Sequence, residues 1–219
     1  SNGLEFPSVF AAGTYENLQY LFIDYIETVP VLRKFWGNFG FGLAALHSVS
    51  NRSFGFEEDN YIGSLIQSNK QWKTWEDFLI NERFIPQLKL AVDSELINRS
   101  EQNRIESIFS FCNELWPTEK PALLHGDLWS GNFIAGQDDQ PYLIDPAAYY
   151  GHREMDLGMM HLFGGFDARL FEIYNSKFPL EKGWEGRIKY NQLYPLLVHL
   201  NLFGRSYLRQ IEGIVNQFS

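Results

Sequence analysis

Cysteine is almost missing from this chain: Cys112 is the only one in 219 residues. An intrachain disulfide is therefore excluded, and a reducing compartment, the cytoplasm, is the expected setting. The residue lies in Ile108-Phe109-Ser110-Phe111-Cys112, on the apolar side of an expected helix, and reads as a buried small hydrophobe. Positive charge is also short, with 18 Lys and Arg against 27 Asp and Glu and a formal net charge of -9. Without a Lys/Arg cluster there is nothing to grip a nucleic-acid backbone, so that class of partner is not expected. An acidic protein that handles a polyphosphate must bring cations locally, which points to a metal. No apolar run approaches the ~20 residues needed to cross a bilayer, and no basic segment followed by an apolar one opens the chain, so no membrane association is expected. Internal repeats and low-complexity linkers are missing too. Nothing in the sequence speaks to oligomeric state.

What is abundant is apolar and aromatic surface. Hydrophobic residues make up 45% and Phe, Tyr and Trp 16%, enough to build a large interior in one large domain or two small ones. Ser1-Asn2, followed at once by domain-like sequence, has the look of a scar left by tag removal.

Periodicity orders the rest. Ser8 to Ala12 and Leu18 to Ile26 read as two strands joined by a turn at Gly13 to Asn17. From Val31 onward Leu32, Phe35, Trp36, Phe39, Leu43 and Leu46 recur at helical steps, predicting a helix that ends near His47. Residues 50–71 read as a long ordered loop. Helices are expected over Trp72 to Val92 and over Ser100 to Trp116, with Ser100 as N-cap. A short apolar run, Ala122-Leu123-Leu124, leads into His125, and Phe133 to Ala135 and Tyr142 to Ile144 form a hairpin around a loose polar turn. From Glu154 the chain reads as helical except around Pro179 and Pro195.

The chemistry is concentrated in His125-Gly126-Asp127-Leu128-Trp129-Ser130-Gly131-Asn132 and, beyond the hairpin, Ile144-Asp145-Pro146. Phosphoryl transfer needs one carboxylate facing the attacking hydroxyl, and an Asn and a second Asp on Mg²⁺. Asp127, Asn132 and Asp145 suit those roles in that order, and hard Mg²⁺ prefers such oxygen ligands. Four residues of this kind would meet by chance in roughly one chain in a thousand. A polar turn with surface carboxylates is the plain alternative, but it explains poorly an Asp set directly after the apolar Tyr142-Leu143-Ile144. Gly126 and Pro146 replace the Arg and Phe of the protein-kinase pattern. Only ten residues lie between Asp145 and Asp156, too few for a phosphorylated activation loop of the usual kind.

The block 125–132, the block Asp145 to Leu157, Leu162 to Phe166, Phe54 to Ser64 and Leu200 to Gly204 together resemble the fructosamine and ketosamine kinases. The resemblance implies an α+β, protein kinase-like (aminoglycoside phosphotransferase-like) C-terminal lobe over residues 28–219. Residues 1–27 would be a remnant of small-lobe strands and hinge. It implies ATP-dependent transfer to the C3 hydroxyl of a ketosamine, free or on a protein lysine. Asp127 would be the base or the group orienting that hydroxyl, and Asn132 and Asp145 would hold Mg²⁺. His125 would brace the loop and Asp156 would cap its backbone amides. Trp129 would wall the sugar or pack against the next helix. Backbone groups of Asp24, Tyr25 and Ile26 would meet adenine, and Glu27 would contact ribose or, the preferred reading, face solvent. His47, His161 and His199 read as packing histidines and His152 as a surface residue. Leu65-Ile66 departs from the Thr-Pro expected in the family. Because no Gly-rich phosphate loop, strand lysine or partner Glu helix precedes the hinge, most of a small lobe is expected to be missing, with weak or no turnover by this chain alone. The rival readings are an aminoglycoside- or choline-type kinase and a noncatalytic kinase-like binding domain.

Overall fold

The computed structural model of the protein describes residues 3–32 and 34–218; Ser1-Asn2 lies outside them. The chain opens with an antiparallel hairpin, β1 (Val9–Tyr15) and β2 (Leu18–Ile23). The expected turn at 13–17 shrinks to Glu16-Asn17, because Gly13 continues the strand opposite Tyr20, whose ring covers the space a side chain would fill. Among the described residues none between the hairpin and α1 (Phe35–His47) belongs to a helix or strand, though Val29 N–H donates to Ala135 O (2.9 Å). Leu32 stays outside the helix, its carbonyl accepting from Phe35 N–H.

The 50–71 segment is not wholly loop. It contains a second hairpin, β3 (Asn60–Ile62) and β4 (Leu65–Gln67), turning on Gly63-Ser64 with Gly63 at φ +56. Three residues per strand are too few to register as alternation in a polar stretch. The helix expected from Trp72 begins only at Trp75, where the Thr74 hydroxyl accepts from Asp77 N–H (3.2 Å). It runs as α2 (Trp75–Phe78), a π-helical turn (Leu79–Phe84) and α3 (Ile85–Asp93). Pro86, which has no N–H to donate, sits just past the widened turn that absorbs the missing bond. The next helix is capped by Asn98, not Ser100. Asn98 Oδ1 accepts from Glu101 N–H (2.9 Å) and Glu101 accepts from Asn98 N–H (2.7 Å), closing a capping box on α4 (Arg99–Glu106). A 3₁₀ stretch then leads to α5 (Cys112–Leu115), where Cys112 is fully buried against the Tyr190 hydroxyl. Burial pushes that thiol up to about 11.

Four short strands come next: β5 (Ala122–Leu124) pairs with β8 (Tyr149–Gly151), and between them β6 (Phe133–Ala135) pairs with β7 (Pro141–Leu143). The C-terminal part is α6 (Glu154–Phe163), α7 (Ala168–Lys177), α8 (Trp184–Asn191), α9 (Leu193–Phe203) and α10 (Leu208–Gln217). Pro179 separates helices as expected. Pro195 does not, because it occupies the first turn of α9, where no helical N–H bond is lost.

Two apolar clusters hold these elements. The larger joins α2 to α5 with β5, β8, α9 and α10. The smaller joins α1, the β6–β7 hairpin, α6 and α7. Gly40 lets α1 press directly on the α7 backbone at Leu170, where any side chain would strike the carbonyl oxygen. Phe35, Phe39, Trp36, Phe133 and Phe166 interlock, mostly edge to face, with ring centroids 5.1 to 6.3 Å apart. Since Phe133 follows Asn132 directly, this cluster anchors the loop that carries the polar residues. No helix among the described residues is long and apolar enough to cross a membrane.

Candidate active site

Asp127 and Asn132 share the tight loop between β5 and β6, and Asp145 follows β7. The Asn132 side-chain amide is the meeting point. Its Nδ2 donates to Asp127 O (2.8 Å) and Asp127 Oδ2 (3.1 Å) and stands 3.5 Å from Asp145 O. Ile144 N–H donates to Asn132 O (3.1 Å), fastening the residue before Asp145 to the same loop. Asp145 itself is exposed and takes a left-handed backbone, φ 52, rare for a residue with a side chain. With the amide nitrogen committed to Asp127, the Asn132 amide oxygen and the Asp145 carboxylate are left as hard-cation donors. Among the described residues no group of three His, Cys, Asp or Glu stands together as a metal site.

Burial raises the Asp127 carboxyl to about 6, the hydrogen bond from Asn132 works against that rise, and the nearby charges of Asp145 and Asp156 add to it. His125 is buried, and burial lowers its pKa. Asp127 N–H approaches its Nδ1 (3.3 Å), so the proton sits on Nε2, which donates to Ile144 O (2.9 Å). In this neutral form His125 ties the Asp127 loop to the end of β7.

Behind the loop lies Asp156, on the first turn of α6. Its two oxygens accept from His125 N–H (2.8 Å) and Gly126 N–H (2.9 Å). Burial opposes its ionisation, but the hydrogen bond from His47 and the Gly126 amide outweigh that and hold the carboxyl below the ordinary range. His47 Nε2 lies 3.1 Å from Asp156 and its Nδ1 2.8 Å from the Tyr174 hydroxyl, all three buried. His47 is thus more than a packing residue. Its partners lie 109 and 127 positions away, so no local pattern announces them. Gly126, at φ +84, completes the turn, because a side chain there would drive into Ala147 O.

Trp129 is 40% exposed, its ring folded over Gly131 and 6.4 Å from Phe163 on the last turn of α6. His152 departs from expectation: it is 1% exposed, with Nε2 3.8 Å from Glu119, and burial lowers its pKa. The apolar rings of Trp75 and Trp116, 6.2 and 6.3 Å away, close over it. His199 donates through Nδ1 to Pro195 O (2.8 Å) and sits among Phe163, Phe203 and Tyr207. His161 lies flat on Phe171 at 4.4 Å.

Asp24, Tyr25 and Ile26 do not join this cluster. Asp24 accepts from Ser8 N–H (2.8 Å), and hydrogen bonding to Ser8, through its side chain first and its backbone second, lowers the Asp24 pKa. Tyr25 is 91% exposed. Tyr25 and Ile26, with Glu27, Gln137 and Tyr142, line a separate hollow of about 510 Å³. Glu27 is exposed but accepts from the Gln137 side chain (2.8 Å).

Sequence and structure comparisons agree on the affiliation. The family model for fructosamine kinase matches residues 1–219. A probable ketoamine kinase of Enterococcus faecium is 37% identical over 217 residues, covering 97% of this chain and 76% of that protein. One from Synechocystis is 37% identical over 213 residues, covering 96% and 71%. A Thermobifida fusca crystal structure, described as a "putative fructosamine-3-kinase", superposes with a TM-score of 0.87 at 36% identity, over 96% of this chain and 73% of that one. The aminoglycoside phosphotransferase APH(4)-Ia, in a ternary complex with ADP and hygromycin B, gives a TM-score of 0.61 at 16% identity over 99% and 78%, a likeness of fold alone. The fold is therefore the α+β protein kinase-like one. The expected loss of a small lobe gains no support here, since the relatives match nearly all of this chain.

Proposed function

Because the chain belongs to the fructosamine kinase family, we propose that its site transfers the γ-phosphoryl group of ATP to the C3 hydroxyl of a ketosamine. The observation that carries this reading is the Asn132 amide, which gathers the Asp127 carboxyl and the backbone at Asp145 into one centre. Asp127 orients the acceptor hydroxyl. With a pKa near 6 its carboxylate is ionised at neutral pH, and it accepts the hydroxyl proton as the phosphoryl group is transferred. Asn132 and Asp145 would hold Mg²⁺, which when bound neutralises charge on the polyphosphate. His125 and Asp156 position the loop through its backbone. Trp129 walls the sugar, and the backbone of Asp24 to Ile26 receives adenine at the edge of the hollow beside Glu27. A cytosolic setting, where ATP is supplied and Cys112 stays reduced, suits this role.

The test is incubation of the protein with ATP, Mg²⁺ and a ketosamine, with the product located by phosphorus and carbon NMR. A phosphate on the C3 oxygen, lost in Asp127→Asn, is expected. Product formed equally by Asp127→Asn, or phosphate on another oxygen, overturns the assignment.

A further inference from the structure

Trp129 is fixed at its backbone by the catalytic loop and steered at its ring by a different element. Its N–H donates to Asp127 O (3.1 Å) and its carbonyl accepts from Asn132 N–H (3.0 Å), so the main chain is bound to both polar residues of the loop. The side chain is not held in that way. Its ring folds over Gly131, where any Cβ would strike it, and the residue stays 40% exposed. The ring beside it is that of Phe163, edge on at 6.4 Å.

Phe163 can steer because it is itself held in place. It ends α6, whose first turn carries Asp156, so the helix reaches the loop at both ends: Asp156 accepts from His125 N–H and Gly126 N–H, and Phe163 meets Trp129. Immediately beyond it Gly164 and Gly165 turn the chain at φ +68 and +87, a path that glycine takes without steric cost. A Cβ at 165 would lie 2.6 Å from Ser130 Cβ, so this turn is pressed directly on the residue next to Trp129. Phe166 then joins the ring cluster of Trp36, Phe39 and Phe133. On another side Phe163 packs on His199 at 4.8 Å, and His199 donates to Pro195 O (2.8 Å) on α9.

Resting on the reading of Trp129 as the wall for a ketosamine sugar, we propose that Phe163 is a positioning residue for the acceptor: it holds the Trp129 ring over Gly131 and so presets the surface the sugar meets. Without the Phe163 edge the indole keeps its backbone anchor but regains rotamer freedom, which the acceptor must then remove on binding. The nucleotide half of the centre is held separately, through the Asn132 side-chain amide and the bond from Ile144 N–H to Asn132 O, so the effect falls on the acceptor alone.

Calorimetry on the whole protein tests this with the ketosamine formed from glucose and ethanolamine and, separately, with MgATP. Phe163→Leu keeps an apolar side chain but not the ring. It should weaken the ketosamine about five- to tenfold, the scale of ordering one side chain, with MgATP affinity kept within about twofold. Phe163→Tyr keeps the ring and should restore ketosamine affinity to within about twofold of the parent. In a Trp129→Leu background, where there is no indole to hold, Phe163→Leu should change ketosamine affinity by less than about twofold. Ketosamine binding unchanged in Phe163→Leu, an equal loss for MgATP, or a further loss of the same size on top of Trp129→Leu each overturn the positioning role while leaving the ketosamine reading intact. No ketosamine binding by the parent defeats that reading, and the role of Phe163 with it.

Discussion

The raised pKa of Asp127 makes its ionised form a burden on the fold, and removing that charge should stabilise the protein while abolishing the proposed transfer. The carboxyl moves from 3.8 to about 6 on folding. The folded state therefore binds the proton more tightly than the unfolded one, so stability falls as pH rises from 3.8 to about 6 and stays low above that. About two pKa units correspond to about 3 kcal/mol, and about 2 kcal/mol after allowance for solvent that still reaches the carboxyl. Asp127→Asn keeps the shape and an acceptor for Asn132 Nδ2 but carries no charge. At pH 7.5, in chelator and without nucleotide, its thermal midpoint should rise by about 4–8 °C. At pH 4 the gain should vanish, because the parent carboxyl is then protonated as well. Scanning calorimetry of both proteins across that range is the assay. A midpoint that falls at pH 7.5, or a gain of equal size at pH 4, would show that burial of this carboxylate does not burden the fold.

The same geometry sets other expectations. Asp156→Asn weakens the acceptor for two loop amides and the partner of His47, and denaturant titration should show a loss of about 2–4 kcal/mol at pH 7. The contribution of Asp156, whose pKa is lowered in the fold, should disappear from the parent as pH falls below the ordinary Asp range. Gly126→Ala must both adopt φ +84 and displace Ala147 O; a loss of more than about 2 kcal/mol in the same titration is expected. Asn98→Ala opens the capping box of α4 and should cost about 1 kcal/mol with no change in nucleotide binding by calorimetry.

Local chemistry makes part of this molecule readable from its sequence. The Asp127 to Asn132 spacing and the return to Asp145 are short-range, so a hairpin between them can be drawn from turn residues and apolar triplets. The helices over 35–47 and beyond 154 show their period because each buries a broad face. Where boundaries slip, a neighbour decides: Tyr20 extends the strand through Gly13, Glu101 moves the cap from Ser100 to Asn98, and the position of Pro195 in a first turn makes it harmless. What stays hidden depends on long-range contact. Nothing near His47 foretells Asp156 or Tyr174, His152 reads as a surface residue because the two tryptophans that close over it are distant in the chain, and Asn60 and Gln67 acquire meaning only once Ala147 and Ala148, whose carbonyls accept from their side-chain amides, lie beneath them.

Whether Asn132 and Asp145 share a divalent ion that carries the nucleotide is decided by calorimetric titration of the protein with ATP in the presence and absence of Mg²⁺, beside Asp145→Ala. Mg²⁺-dependent binding by the parent, lost in Asp145→Ala, is the expected result. Identical heats from the two proteins, or parent binding indifferent to Mg²⁺, would contradict a metal centre at these two residues.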